Sequence, residues 1–456
     1  MEIEDLVKKQ RTYFQSGATL SYHARMHTLL HIRQAIRRYE PQLKQALYQD
    51  LHKSDSESYM SEIALTMAEL NYCIRHLKTW MRREYVKTRL ANFPATSFTA
   101  AEPYGVVLVM APWNYPVLLC LEPLIDAAAA GNCVIVKPSA YAPHVSAVLA
   151  SLIADCFPPE HIAVVEGARE ENLKLLEQRF DYIFFTGSVA VGKLVLEKAA
   201  CHLTPVTLEL GGKSPCIVDR TANIPLAARR IVFGKLLNSG QTCVAPDYLI
   251  VYPDIKEKLL KAIKRELVRM LGDRPLESEE YPRMVNQKHY DRVMHLMKQE
   301  HAAVGGYGRP DTLQIAPSVL DRVTLDSPIM QEEIFGPVLP VLEFQTKKEL
   351  LSIIRHFEKP LACYLFSTDR KMQDWVLRHV SFGGGCINDT IIHLASPDMA
   401  FGGVGGSGMG SYHGKAGFET FSHRKSVVKK YHWIDLPMRY HPYAAWKDAV
   451  IRRVVK

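Results

Sequence analysis

Between residues 105 and 186 the sequence repeats one pattern: a short run of uninterrupted apolar residues, then a longer stretch that is apolar at every third or fourth position. The runs are Val106-Val107-Leu108-Val109-Met110, Cys133-Val134-Ile135-Val136, Ala163-Val164-Val165 and Tyr182-Ile183-Phe184-Phe185, and the segments 118–130 and 145–156 lie between the first three. A strand that is apolar at every position offers no face to water, so it must be covered on both sides. Alternating such strands with helices specifies an α/β fold, a parallel sheet between two helical layers. Ligands of these sheets sit at the carboxyl ends of the strands. Asn114, Lys137 and Gly187 fall there.

The flanking sequence sorts by the same rhythm. Residues 3–80 are helical in pattern, with Leu29, Ile32, Ile36, Leu70, Ile74 and Leu77 on apolar stripes. Residues 82–99 break that period and carry Pro94, which suits an extended excursion. From Ser214 a second series begins, with strands at 216–218, 249–251, 338–344 and 361–366 and helices at 227–237 and 255–271. The stretch 273–321 is rich in Gly, Pro and charge and reads as surface loops around one helix at 289–300.

Composition narrows the class. A chain of 456 residues, 47% hydrophobic and 23% charged, has the make-up of a soluble protein with full-sized cores. Its start is acidic rather than basic and apolar, so no export signal is expected. The longest apolar candidate, 117–136, is interrupted by Glu122 and Asp126, so no membrane span is expected either. Nine cysteines, an odd number without a CxxC pair, argue against a disulfide framework or a metal site and for a reducing, cytoplasmic compartment. The net charge of +8 is concentrated at one end: residues 424–456 hold nine Lys or Arg and two Asp, a net of +7. The remainder is near neutral, so no nucleic-acid-binding face is expected.

Three residue types point to chemistry. Asn238-Ser239-Gly240-Gln241-Thr242-Cys243 sets one thiol in a small polar loop, and Glu209, 34 residues upstream, ends an apolar strand just before Gly211 and Gly212. A thiolate nucleophile needs a base and donors for the oxyanion it creates. Asn114, in Pro112-Trp113-Asn114-Tyr115-Pro116, offers such a donor. Each residue alone has a plainer reading: cysteine is commonly a buried core thiol, Glu209 an ion-pair partner, and Asn114 a turn residue. Gly187-Ser188-Val189-Ala190-Val191-Gly192 joins a strand to a helix, where backbone N–H groups can approach a phosphate. Its spacing is not the usual dinucleotide fingerprint, and a tight turn explains it equally well.

Taken in order with Phe184-Phe185-Thr186-Gly187-Ser188 and Glu332-Glu333-Ile334-Phe335-Gly336-Pro337, these segments resemble the aldehyde dehydrogenase superfamily. The length and the ending Phe401-Gly402-Gly403-Val404-Gly405-Gly406-Ser407-Gly408 resemble its class 3 branch. The resemblance implies a Rossmann-like dinucleotide-binding domain at 1–81 and 100–209, a catalytic domain at 210–397, and small β oligomerisation segments at 82–99 and 398–430 that pair subunits into a homodimer. It implies that Cys243 attacks an aldehyde, that Asn114 steadies the oxyanion, and that Glu209, with Glu333 as rival, activates the water that hydrolyses the resulting thioester. It also implies NAD or NADP as cofactor, held by Lys137, Gly187, Ser188, Val191 and Gly192, with Glu333 and Phe335 at the nicotinamide ribose and ring. The carboxylate common three residues after that lysine is Ala140 here, so NADP is expected to be accepted beside NAD unless Glu166 or another acid replaces it.

Trp113, Tyr115, Phe233 and Phe401 are candidate aromatics of the substrate funnel, which suggests medium- or long-chain aliphatic or aromatic aldehydes. In the tail, 431–456, Tyr443, Trp446, Val450, Ile451, Val454 and Val455 share one half of a helical wheel; Arg452, Arg453, Lys456 and Asp448 share the other. Such a helix either docks over a partner's substrate mouth or lies peripherally on an anionic membrane. Two alternatives stand beside hydrolytic oxidation: a CoA-acylating enzyme, and a silent binding or structural protein on the same scaffold.

Overall fold

The computed structural model describes residues 2–454; Val455 and Lys456 of the tail helix lie outside the described residues. The repeated apolar runs form one six-stranded sheet, in the order Gly408–Met409, Val206–Glu209, Tyr182–Thr186, Val106–Met110, Cys133–Lys137 and Ile162–Val164. All its neighbours are parallel except Gly408–Met409, which pairs antiparallel with Leu208 and Glu209. Every residue of Val106–Met110, Cys133–Lys137 and Tyr182–Thr186 is buried. The helix Leu118–Ala130 is buried along its whole length. It ends where Gly131 takes a left-handed conformation (φ 94°), which glycine adopts without a Cβ penalty. The helix Arg169–Leu176 was not legible, because only Leu175 and Leu176 of its charged sequence are buried.

A second sheet has seven strands, in the order His301–Val304, Ser318–Asp321, Val338–Glu343, Tyr248–Val251, Pro215–Val218, Ala362–Phe366 and Gly384–Ile387. This corrects the reading of 273–321 as loops around a helix. The helix is present at Gln287–Met297, but Ser318–Asp321 is a strand parallel to Val338–Glu343, its first three residues buried. Four residues between Pro317 and Arg322 are too few to show a period. Gly384–Ile387 escaped for a different reason: its Gly-Gly-Cys-Ile sequence carries little strand propensity.

The excursion after the N-terminal helices is a three-stranded sheet, Glu84–Val86, Ala95–Pro103 and Ser422–Lys430. The last two run antiparallel through nine residue pairs. Segment 398–430 therefore divides: Gly408–Met409 closes an edge of the first sheet beside Glu209, and only Ser422–Lys430 joins the extension. The tail helix Ala445–Val454 has no buried residue, and Tyr443 and Trp446 are exposed. Its Val450, Ile451 and Val454 face a groove shared with Leu90, Ala91 and Phe93. Among the described residues no helix is long and apolar enough to cross a membrane.

Candidate active site

Cys243 is delivered by an unusual turn. The helix Ile224–Leu236 gives way to Asn238, Ser239 and Gly240, all left-handed (φ 49°, 54° and 72°). Left-handed backbone costs a non-glycine residue roughly 1–2 kcal/mol, so surrounding contacts must hold this loop. They are dense: Asn238 Nδ2 donates to the carbonyls of Asn114 (2.7 Å) and Gln241 (3.1 Å), and Asn238 N–H donates to Glu57 Oε1 (2.7 Å). Gln241 Nε2 donates to the carbonyls of Asn238 and Arg283, while Gln241 Oε1 accepts from Val285 N–H. At Gly240 a Cβ would collide with the Gly336 carbonyl, so only glycine fits.

Two cavities meet at the thiol. One, of about 200 Å³, is walled by apolar groups including Met60, Leu118, Phe233, Ile391, Phe401 and Tyr412. The other, of about 480 Å³, lies at the carboxyl ends of the first sheet, with Asn114, Gly187, Ser188, Glu209, Glu333 and Phe335 in its walls. Only Cys243 and Leu119 border both among the described residues. Tyr115, Phe233 and Phe401 line the apolar cavity as expected of a funnel. Trp113 does not: it borders the polar cavity, edge-on to Phe335 at 5.4 Å and 81°. Its assignment to the funnel is therefore corrected.

Burial dominates the electrostatics. It pushes the Cys243 thiol up to about 12, with the charges of Glu333 and Glu209 adding to the shift and the backbone N–H groups of Cys243 and Val244 opposing it. Glu209 is buried, and neither of its carboxyl oxygens has a hydrogen-bond partner among the described residues. Burial holds its proton well above the usual carboxylate range, and only the nearby Gly403 N–H pulls the other way. Glu333 is raised to about 8 by burial and the charge of Asp247. Asn114 is 2% exposed, and its amide donates one hydrogen to the Gln241 carbonyl (3.0 Å). The other amide hydrogen is left for a ligand.

The polar cavity suits a dinucleotide at one end. Ser188 caps the helix Val189–Ala200 by accepting from Val191 N–H, and a Cβ at Gly187 would lie 2.6 Å from the Phe185 ring. Gly192 serves the packing of that helix, since a Cβ there would come within 2.8 Å of Leu210. Lys137, Val191 and Gly192 are not in the cavity wall; Lys137 Nζ donates to the carbonyls of Pro138 and Gly167, both at 2.7 Å. Ala140 is exposed at the following turn, and Glu166 accepts from Ser146 Oγ at 3.2 Å.

Several wall residues were missed. Arg292 borders the polar cavity and donates to Glu332 Oε1 (2.9 Å) and to the carbonyls of Glu333 (3.1 Å) and Ile334 (2.6 Å), which fixes the backbone that presents Glu333. His289, also in that wall, is lowered to about 4 by burial and the charge of Arg292. In the apolar cavity His413 pairs with Glu122 at 3.4 Å; burial opposes protonation of His413, and the charge and hydrogen bond of Glu122 together with the charge of Glu69 outweigh it. His289 and Arg292 lie in no glycine-marked segment, so sequence spacing held no cue to them; His413 stands directly before Gly414.

Comparison with known proteins agrees with this geometry. Residues 1–427 match the model of the aldehyde dehydrogenase family. The chain is 46% identical to the 4,4'-diaponeurosporen-aldehyde dehydrogenase of Staphylococcus aureus, over 97% of this chain and 96% of that protein. It is 41% identical to the dimeric NADP-preferring aldehyde dehydrogenase of Canis lupus familiaris, over 94% of each. The solved substrate-bound AldH of Staphylococcus aureus superposes with a TM-score of 0.98 at 44% identity, covering 100% of this chain and 99% of that one. A match of this extent, on a fold with a thiol between an apolar and a polar cavity, means that the chain belongs to the aldehyde dehydrogenase family and oxidises aldehydes with NAD or NADP.

Proposed function

We propose that Cys243 is the nucleophile, that Asn114 with the Cys243 backbone N–H forms the oxyanion site, and that Glu209 activates the deacylating water. The observation that carries this reading is the position of Cys243 between the two cavities. The aldehyde approaches through the apolar cavity, and the thiolate adds to its carbonyl carbon to give a thiohemiacetal. The free amide hydrogen of Asn114 and the Cys243 N–H then meet the developing alkoxide; losing one such donor typically costs about 2.7–4 kcal/mol. When bound, the nicotinamide supplies the hydride acceptor that converts this adduct to a thioester on Cys243. Glu209, free of competing hydrogen bonds, must first give up the proton that burial favours. As the carboxylate it takes a proton from water as that water attacks the thioester, and the acid leaves as the Cys243 sulfur is released. This base favours hydrolysis over transfer to CoA, which needs no water-activating group.

Of the cofactor contacts, Gly187 and Ser188 at the phosphates and Glu333 and Phe335 at the nicotinamide end lie in the cavity wall; Val191 and Gly192 shape the helix behind it, and Lys137, outside the wall, meets the adenosine ribose. The substrates are elongated apolar aldehydes. The hydrocarbon lining supports this, as does the relative named 4,4'-diaponeurosporen-aldehyde dehydrogenase. The two large sheets support the division into 1–81 with 100–209 and 210–397, apart from Gly408–Met409, which returns to the first sheet, and residues 100–103, which continue the extension strand. The protein works in the reducing cytoplasm as a homodimer paired through Ala95–Pro103 and Ser422–Lys430, on a sheet whose edge strand Glu84–Val86 exposes Tyr85. A relative named as dimeric supports the pairing. The tail docks on protein rather than lipid, and co-sedimentation with anionic vesicles would refute that.

The test is reduced-cofactor formation from hexanal, a long-chain aldehyde and benzaldehyde with NAD and with NADP. Wild type is expected to turn over and Cys243→Ser not; turnover by the serine variant at the wild-type rate removes Cys243 from the reaction.

A further inference from the structure

The oxyanion and thiol loops are gripped from the N-terminal helices, far away in sequence. Lys53 follows the helix Tyr22–Leu51 across left-handed His52 (φ 57°). It pairs with Glu62 at 2.5 Å, and both side chains are 0% exposed. Lys53 Nζ also donates to the Asn114 carbonyl (2.9 Å) and sits 4.0 Å above the Tyr115 ring. The other oxygen of Glu62 accepts from the N–H groups of Val117 (2.8 Å) and Leu118 (3.3 Å). Glu62 lies in a single π-helical turn, Tyr59–Ile63, a rare distortion frequent at functional sites. The same Asn114 carbonyl receives Asn238 Nδ2 from the thiol loop, whose own N–H is held by Glu57 from the neighbouring turn. Tyr115 Oη bonds Thr242 Oγ1 at 2.7 Å, next to Cys243.

A buried ion pair is a poor way to add stability, because desolvation consumes most of its attraction and an apolar pair of the same size often does as well. Here every bond beyond the pair itself goes to the backbone of residues 114–118. We propose that Lys53 and Glu62 are positioning residues for the oxyanion site: they fix the Asn114 peptide, so that the Asn114 amide keeps one geometry. This rests on Asn114 as oxyanion donor. Donors contribute most when they are in place before charge develops, and a displacement of about 1 Å can cost up to a hundredfold in rate.

The test is a cycle of full-length variants with hexanal and saturating cofactor. Lys53→Met/Glu62→Gln removes the charges together and keeps the volumes close. In the wild-type background it is expected to lower kcat by about tenfold or more, with little change in KM for the cofactor. In an Asn114→Ala background the same pair is expected to change kcat by less than about twofold, because the group it positions is gone. Equal fold-losses in both backgrounds overturn the proposal, since a general structural role acts irrespective of Asn114. If Asn114→Ala alone leaves kcat unchanged, the oxyanion reading falls and the proposal with it. Should the double variant not fold, Glu62→Gln alone serves: its amide presents one acceptor oxygen where the carboxylate presents two. A loss that vanishes in the Asn114→Ala background supports the proposal, and one that persists overturns it.

Discussion

The carboxylate of Glu333 lies directly against the α-carbon of Gly211, so closely that a Cβ at Gly211 would occupy its place. Gly211 is thus part of the seat of a second carboxylate, whose charged form the nearby Gly212 N–H favours. Gly211→Ala must push Glu333 into the polar cavity. Its expected effect is a rise of about tenfold in KM for the cofactor with a smaller change in kcat, read from steady-state kinetics at varied NADP.

Gly240 offers a test of the turn rather than the site. Alanine there must hold left-handed backbone, at roughly 1–2 kcal/mol, and must also displace the Gly336 carbonyl. Gly240→Ala is expected to lose more than about 3 kcal/mol of stability in denaturant titration, beyond the strain alone.

Glu57 links stability to pH. Burial raises it to about 7 from 4.5, against the pull of Lys53 and the Asn238 N–H. The folded chain thus keeps a proton that the unfolded chain releases. The stability this contributes is complete below about 4.5 and is lost as pH rises to about 7. Its size is of order 3 kcal/mol, at about 1.4 kcal/mol per pH unit. Glu57→Gln, which cannot ionise, is expected to flatten the fall in unfolding free energy between pH 5 and 7 measured by urea denaturation.

The Cys243 thiol, at about 12 without cofactor, is expected to resist alkylation at pH 7. Peptide mass spectrometry after iodoacetamide treatment should show exposed Cys201 modified first. Modification of Cys243 should rise roughly tenfold per pH unit through pH 9, because only thiolate reacts.

What the sequence disclosed follows from how each feature is encoded. Val106–Met110 and Cys133–Lys137 announce themselves because burial on both faces demands apolar residues throughout. Cys243, Glu209 and Asn114 stand beside glycines or prolines that mark the turns. Ser318–Asp321 and Gly384–Ile387 take their strand character from neighbours in the sheet, which no local pattern records. Trp113 follows the same limit: its ring type is evident, but the cavity it faces is set by Phe335, 222 residues later. The Lys53–Glu62 pair was hidden by its setting, charged residues at the ends of amphipathic helices where solvated charge is the ordinary reading.

The central claim is that Cys243 carries the acyl group and Glu209 releases it. Mixing Glu209→Gln with cofactor and hexanal, then taking the intact mass, tests both at once. The expected result is a burst of about one reduced cofactor per subunit, followed by slow turnover, with a hexanoyl adduct on the peptide containing Cys243. Steady turnover at the wild-type rate, or a burst without an adduct on that peptide, would contradict the account.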